Sequence, residues 1–144
     1  MTDIFSKPQR SYLMSKIKGK ETKSEILVRK YIFSKGFRYR KNVRKLPGTP
    51  DIVLSKYKTV IFIHGCFWHA HQECKESRLP RSNVEYWKDK LEKNVERDLK
   101  NIVLLESMGW QVIVIWECQL KNNTLRNNRL AQLDVEIRNL NILD

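Results

Sequence analysis

The amino-acid sequence predicts a single α/β domain in which a mixed β-sheet is flanked by helices. Three observations carry that prediction. Apolar, β-branched runs at 51–54, 59–64 and 110–116 are set between longer segments whose apolar residues recur at helical spacing. The resulting order is helix, three strands, helix, strand, helix, which lets helices cover a sheet. A chain of 144 residues with 41% hydrophobic residues supports one domain around a modest core.

Met1 to Lys20 reads as a basic arm, with Arg10, Lys16, Lys18 and Lys20 beside Tyr12, Leu13, Met14 and Ile17. Such a segment orders when it meets a polyanion. Thr22-Lys23-Ser24-Glu25 is a capping-box pattern. It opens a helix expected to run to about Lys35, with Ile26, Leu27, Tyr31 and Ile32 at helical spacing and Gly36 as its stop. Phe37 to Lys41 alternates ring and base, as a half-buried strand does. Leu46-Pro47-Gly48-Thr49-Pro50 is a turn-rich loop. Asp51–Leu54 and Thr59–His64 then form a β-hairpin turned by Ser55 to Lys58, with Asp51 at its mouth. Cys66 to Pro80 is an irregular excursion. Val84, Trp87, Leu91, Val95, Ile102 and Leu105 mark a long amphipathic helix over Asn83–Met108, ended by Gly109. Trp110–Trp116 is a buried strand, and Leu125–Leu140 is a final helix expected to lie outside the core. The domain plan is an arm over 1–20, a main domain over 21–120 and a helical extension over 121–144.

The 28 Lys+Arg against 16 Asp+Glu leave a net charge of +12, and the pI is near 9.8. That balance is the electrostatic footprint of a nucleic-acid binder. Ribosomal proteins and anionic-membrane binders share it, so charge alone names no function. No segment approaches the ~20 continuous apolar residues of a membrane span, and the polar first ten residues lack the apolar stretch of a signal peptide. A cytoplasmic protein is expected. Three cysteines cannot all pair within one chain, and beside histidine they point to metal rather than disulfide.

The chemistry is concentrated in Val60–Cys74, which holds all three histidines and two of the three cysteines. Cys66, His71, Cys74 and Cys118 can supply a tetrahedral zinc set; alternatively, Cys118 is a buried thiol and the others are unligated. If His71 takes the imidazole position, His64 and His69 are left for proton transfer or phosphate contact, or for a structural role. Asp51 at the hairpin mouth suits Mg²⁺ held by one carboxylate, a strand carbonyl, waters and a phosphate; it equally suits a turn cap. Glu25 is the return partner of the capping box, and nears such a metal only if the helix start faces it. Phe67, Trp68 and Trp87 are core anchors or base-stacking rings.

Ile61-Phe62-Ile63-His64-Gly65-Cys66-Phe67-Trp68-His69, then Tyr86-Trp87, Lys93-Asn94-Val95-Glu96-Arg97-Asp98, and Gly109-Trp110 through Trp116-Glu117-Cys118 closely resemble the very short patch repair (Vsr) mismatch endonucleases. Met14 to Glu25 and Leu46 to Asp51 match as well, so the resemblance spans about residues 8 to 120. It implies a restriction-endonuclease-like core with a structural zinc site. It also implies nicking of one strand of double-stranded DNA, 5′ of the thymine in a T·G mismatch left by 5-methylcytosine deamination. That links the protein to a cytosine-5 DNA methyltransferase, acting as a monomer on the bacterial nucleoid. Asp51 would carry a catalytic Mg²⁺ with the Ile63 carbonyl assisting, His69 would activate water, His64 would hold the phosphate, and Glu25 would sit close by. Cys66, His71, Cys74 and Cys118 would hold Zn²⁺. Phe67, Trp68 and Trp87 would wedge the major groove, and Met14 and Ile17 would press from the minor groove. Ile63 stands where the family often has threonine, a change that a backbone carbonyl survives. Competing readings are a restriction-type nuclease without mismatch preference and a non-catalytic, zinc-stabilised DNA-binding protein.

Overall fold

The computed structural model describes residues 22–72 and 74–142. The arm, with Met14 and Ile17, lies outside the described residues.

Helix α1 spans Lys23–Ser34. Its N-cap is Thr22, whose Oγ1 accepts from the Glu25 N–H at 3.1 Å. At the other end the Gly36 N–H reaches the Phe33 carbonyl and the Phe37 N–H reaches the Ile32 carbonyl, both at 3.0 Å. That double closure needs a left-handed residue, and Gly36 supplies it at φ +92. The closure drives Phe37 into the core, where it is 1% exposed. This corrects the strand expected over 37–41: only Arg40–Lys41 pair, as the edge strand β1.

Strands β2 (Ile52–Leu54) and β3 (Thr59–His64) form the anticipated antiparallel hairpin, turned through a short 3-10 segment and Lys58 at φ +50. Helix α2 (Val84–Ser107) then crosses over to β4 (Gln111–Trp116), which lies parallel to β3. The sheet order is β1-β2-β3-β4, with the first two pairings antiparallel and the last parallel. The register sets Ile61 opposite Ile113 and His64 opposite Trp116.

Every residue of β3 is buried, because both faces of the sheet are covered. Ile52, Leu54, Ile61, Ile63, Ile113 and Ile115 pack with Val28 and Ile32 of α1 on one face. Val53, Val60 and Phe62 pack with Leu105 of α2 on the other. The period of two along the strands thus sorts one apolar set to each side. The last helix, α3 (Asn123–Ile142), was expected outside the core, and the structure overturns that. Leu130, Leu133 and Ile137 of α3 are at most 4% exposed and complete the α1 side of the core. Helix α2 is anchored more sparsely, by Leu91 and Leu105, while Val84, assigned to its apolar face, is exposed. Among the described residues no helix is long and apolar enough to cross a membrane.

Candidate active site and metal centre

The carboxyl end of β3, the mouth of β2, the N-terminus of α1 and the middle of α2 enclose a cleft of about 560 Å³. Asp51, Glu25, Ile63, His64 and His69 all line it, as do Asp98, Asn101 and Arg97 of α2. The Asp51 carboxylate and the His69 ring therefore face the same space rather than opposite sides of the molecule.

Asp51 lies just before β2, so its side chain falls beside the end of β3. Its Oδ2 accepts the Ile63 N–H at 2.7 Å. Burial holds the Asp51 carboxyl above its ordinary range, against the opposing pull of the Ile63 N–H, Glu25, His69 and Arg29. Glu25 lines the same cleft as Asp51 and lies 3.6 Å from Arg29 Nη1. The start of α1 faces the cleft, where Thr22 and Glu25 both line it. Two adjacent carboxylates, one of them disfavoured as a bare anion, are the oxygen donors a hard cation takes. The cleft wall beside them is tight and strained. A Cβ on Gly48 would stand 3.1 Å from Asn101 Nδ2 and 3.2 Å from Phe62 Cζ, and Gly48 has φ +76. Thr49 follows at φ +48, an outlier for a β-branched residue of the kind that gathers at functional sites.

His64 and His69 stack face to face, with ring centroids 3.7 Å apart and planes at 2°. His69 Nδ1 donates to Asp98 Oδ2 at 2.6 Å. This fixes the tautomer: the neutral ring then carries its lone pair on Nε2. Asp98 is the cleft residue to which the sequence reading gave no role. It sits in a charged run of α2, 29 positions from His69, where it reads as a solvated side chain. His64 is 6% exposed, and its Nδ1 is buried without a hydrogen-bond partner among the described residues. Burial, then the charge of His69, pushes the His64 imidazole down to about 4, against the upward pull of Asp98. It is neutral wherever the protein works near pH 7.

Beyond this pair lies the cysteine cluster. One ligand atom from each of Cys66, His71, Cys74 and Cys118 lies within 4.8 Å of the others, a spacing that a tetrahedral ion with metal–sulfur bonds of about 2.3 Å draws together. Burial pushes the Cys66 thiol up to about 12, and it raises Cys118 too. Without a cation such thiols stay protonated, so the donor set fits a metal that ionises them. The loop is shaped to present these ligands. The His71 N–H bonds to the Cys66 carbonyl at 2.9 Å, and Ser77 Oγ donates to the carbonyls of His71 and Cys74 at 2.6 and 2.8 Å. Trp116 touches a histidine of each group. It stacks on His71 at 4.0 Å and meets the His64 ring edge-on at 5.1 Å.

Phe67, Trp68 and Trp87 come together. Their ring centroids are 5.2 to 5.9 Å apart, all three are half-buried, and Tyr86 adds a fourth ring 5.3 Å from Trp87. Asn94 Nδ2 donates to the Trp68 carbonyl at 3.1 Å, and Arg97 donates in turn to Asn94. The ring-bearing loop is thereby tied to the helix that carries Asp98.

Residues 2–76 match the family model described as DNA mismatch endonuclease Vsr. The chain is 56% identical over 138 residues to the type II nicking enzyme V.NmeAIP of Neisseria meningitidis, covering 96% of this chain and 98% of that one. It is 40% identical over 121 residues to the DNA mismatch endonuclease Vsr of Escherichia coli, covering 84% and 77%. The type II nicking enzyme V.XorIIP of Xanthomonas oryzae is 41% identical over 140 residues, covering 97% of each. On these matches the chain belongs to the Vsr family of DNA mismatch endonucleases, enzymes of the strand-nicking endodeoxyribonuclease class.

Proposed function

We propose that this protein nicks one strand of duplex DNA on the 5′ side of the thymine in a T·G mispair and so starts short-patch repair. The observation that carries the reading is the convergence of the Asp51–Glu25 carboxylates and the His64–His69–Asp98 group on one cleft. Phosphodiester hydrolysis needs a base for water, a partner for the phosphate oxygens and a place for a cation.

His69 accepts the proton of the attacking water at Nε2, and Asp98 holds the ring and stabilises the imidazolium that forms. His64, neutral and packed against it, donates a hydrogen bond to the phosphate. The N-terminus of α1 faces the same space, and its partial positive charge favours an anion there. Asp51 and Glu25 would hold Mg²⁺, with Ile63 fixing the Asp51 carboxylate through its N–H and offering its carbonyl. When bound, that ion neutralises charge on the reacting phosphate. Cys66, His71, Cys74 and Cys118 would hold a structural Zn²⁺ that keeps the His69 loop in register with β4.

Selection of the mispair falls to the rings. A T·G pair stacks less well than a matched pair, so parting it costs less, and Phe67, Trp68 and Trp87 turn that difference into preference. Met14 and Ile17 press from the minor groove, and the basic surface adds affinity without sequence choice. Deamination of 5-methylcytosine makes such mispairs, which ties the enzyme functionally to a cytosine-5 DNA methyltransferase. It works as a monomer in the bacterial cytoplasm, on nucleoid DNA. Nicking of T·G and T·A duplexes with and without Mg²⁺ tests the reading. A nick 5′ of the mispaired thymine is expected only with Mg²⁺ and only in the T·G duplex. Equal cutting of both duplexes would defeat it.

A further inference from the structure

We propose that His64, His69 and Asp98 form a second metal site, one that takes a borderline divalent cation such as Zn²⁺ or Co²⁺ and switches nicking off. It is distinct from both the thiolate cluster and the Asp51–Glu25 pair. Among the described residues, these three are the other group whose ligand atoms come within 4.8 Å of one another. The donor set is two imidazoles and one carboxylate. Imidazole nitrogen favours the later first-row metals, whereas Mg²⁺ favours oxygen and keeps its waters. The two sites in one cleft are thus sorted by donor type: hard cations at the carboxylate pair, borderline cations at the histidines.

Two further observations support a ligand here. The Nδ1 of His64 is buried without a partner among the described residues, on a side chain that is more than nine-tenths buried. Its ring stacks on that of His69, and one nitrogen of His64 is among the ligand atoms of the cluster. The site is not closed around a metal as it stands. A metal lies in the plane of an imidazole, and the rings are parallel to within 2°, so one ring must tilt. His69 is the one free to do so. It sits on a loop with a quarter of its side chain exposed, while His64 is fixed in β3. Tilting replaces the 2.6 Å bond between His69 and Asp98 with two bonds to the ion. Trp116 meets both centres, stacked on His71 and edge-on to His64, and the two groups have no residue in common.

The binding half of this inference rests on the donor set and its proximity, together with a tilt of His69. The inhibitory half rests on the proposed role of His69, because a coordinated or displaced imidazole can no longer accept a proton from water. The test starts from full-length protein carrying one Zn²⁺ per chain, titrated with Co²⁺ in the absence of DNA. A second equivalent should bind with visible d–d absorption but without the near-ultraviolet sulfur-to-cobalt charge-transfer band. Asp98→Ala and His64→Ala should each abolish it, with folding checked by circular dichroism, and His69→Ala serves if His64→Ala does not fold. Asp51→Asn should keep it. In saturating Mg²⁺, the same excess of Co²⁺ or Zn²⁺ should slow nicking of a T·G duplex by about 100-fold or more, the scale of a lost general base. The site is overturned by a single equivalent per chain, by a charge-transfer band, by binding that survives Asp98→Ala and the histidine variants, or by loss in Asp51→Asn. A chain that binds the second Co²⁺ yet nicks no DNA keeps this site and overturns the proposed activity instead.

Discussion

The bond between His69 and Asp98 gives the sharpest quantitative expectation. Asp98→Asn preserves the shape of the side chain and a carbonyl oxygen for the His69 N–H, but it removes the charge. In the folded protein the bond is 2.6 Å long, with the two side chains 25% and 18% exposed. Hydrogen bonds to charged groups contribute about 1.5–3 kcal/mol. Partial exposure places this one toward the lower part of that range in the ground state, and it strengthens as His69 takes up a proton. Neutral hydrogen bonds contribute about 0.5–1.5 kcal/mol, so at about 1.4 kcal/mol per decade losing the charge while the bond persists should slow the chemical step roughly 10-fold. Affinity for DNA should hardly change, because in the proposed mechanism Asp98 holds the base rather than the duplex. Single-turnover nicking of a T·G duplex at saturating protein reads the first quantity, and fluorescence anisotropy on the same duplex in Ca²⁺ reads the second. A rate within twofold of the parent would refute the role assigned to this pair. An equal loss in rate and affinity would make Asp98 a structural residue.

Four other outcomes follow from the same geometry. Asp51→Asn should abolish nicking yet raise the melting temperature of the protein free of divalent cation at neutral pH. The folded-state carboxyl titrates above its ordinary 3.8, so its ionised form costs stability above that raised value, and the gain should vanish once pH falls below 3.8. Cys118→Ser should lower zinc content and thermal stability together, as metal analysis and melting would show; a folded, zinc-replete variant removes Cys118 from the ligand set. Trp68→Ala and Trp87→Ala should each weaken T·G binding by about 1–3 kcal/mol. Their double variant should lose less than the sum, since the rings lie 5.9 Å apart and share contacts; anisotropy decides. Leu133→Ala in α3 should cost about 2–5 kcal/mol in denaturant unfolding, and a loss under about 0.5 kcal/mol, the surface scale, would return α3 to the periphery.

Much of this could be read from the chain, where local chemistry dictated local structure. Thr22 and Gly36 bracket α1 because capping and left-handed closure are local requirements. The hairpin of β2 and β3 was visible because both runs are apolar and the turn between them is polar. The dense segment around Cys66 announced a centre because no core strand needs that many ligands. What failed did so for tertiary reasons. Phe37 looked like the start of a strand until the Schellman closure carried it inward. Leu130, Leu133 and Ile137 recur at helical spacing, but with Arg129 and Asp134 among them nothing local says that a sheet face awaits them; even Arg129 is buried, paired with Glu136 at 2.9 Å. Asp98 stands beside Arg97 on a helix rich in charge, and only the crossover of α2 brings it to His69. Trp116 read as the end of a strand, and the register that sets it opposite His64 brings it against that ring.

In the proposed mechanism the carboxylate at the mouth of β2 and the imidazole on the cysteine-bearing loop act on one phosphate in one step. Single-turnover rates of Asp51→Ala, His69→Ala and the double variant on a T·G duplex test it directly. Groups that serve one transition state are not independent, so the double variant should be no slower than about the slower single variant. A double variant whose loss is the full product of the two single losses would contradict the account.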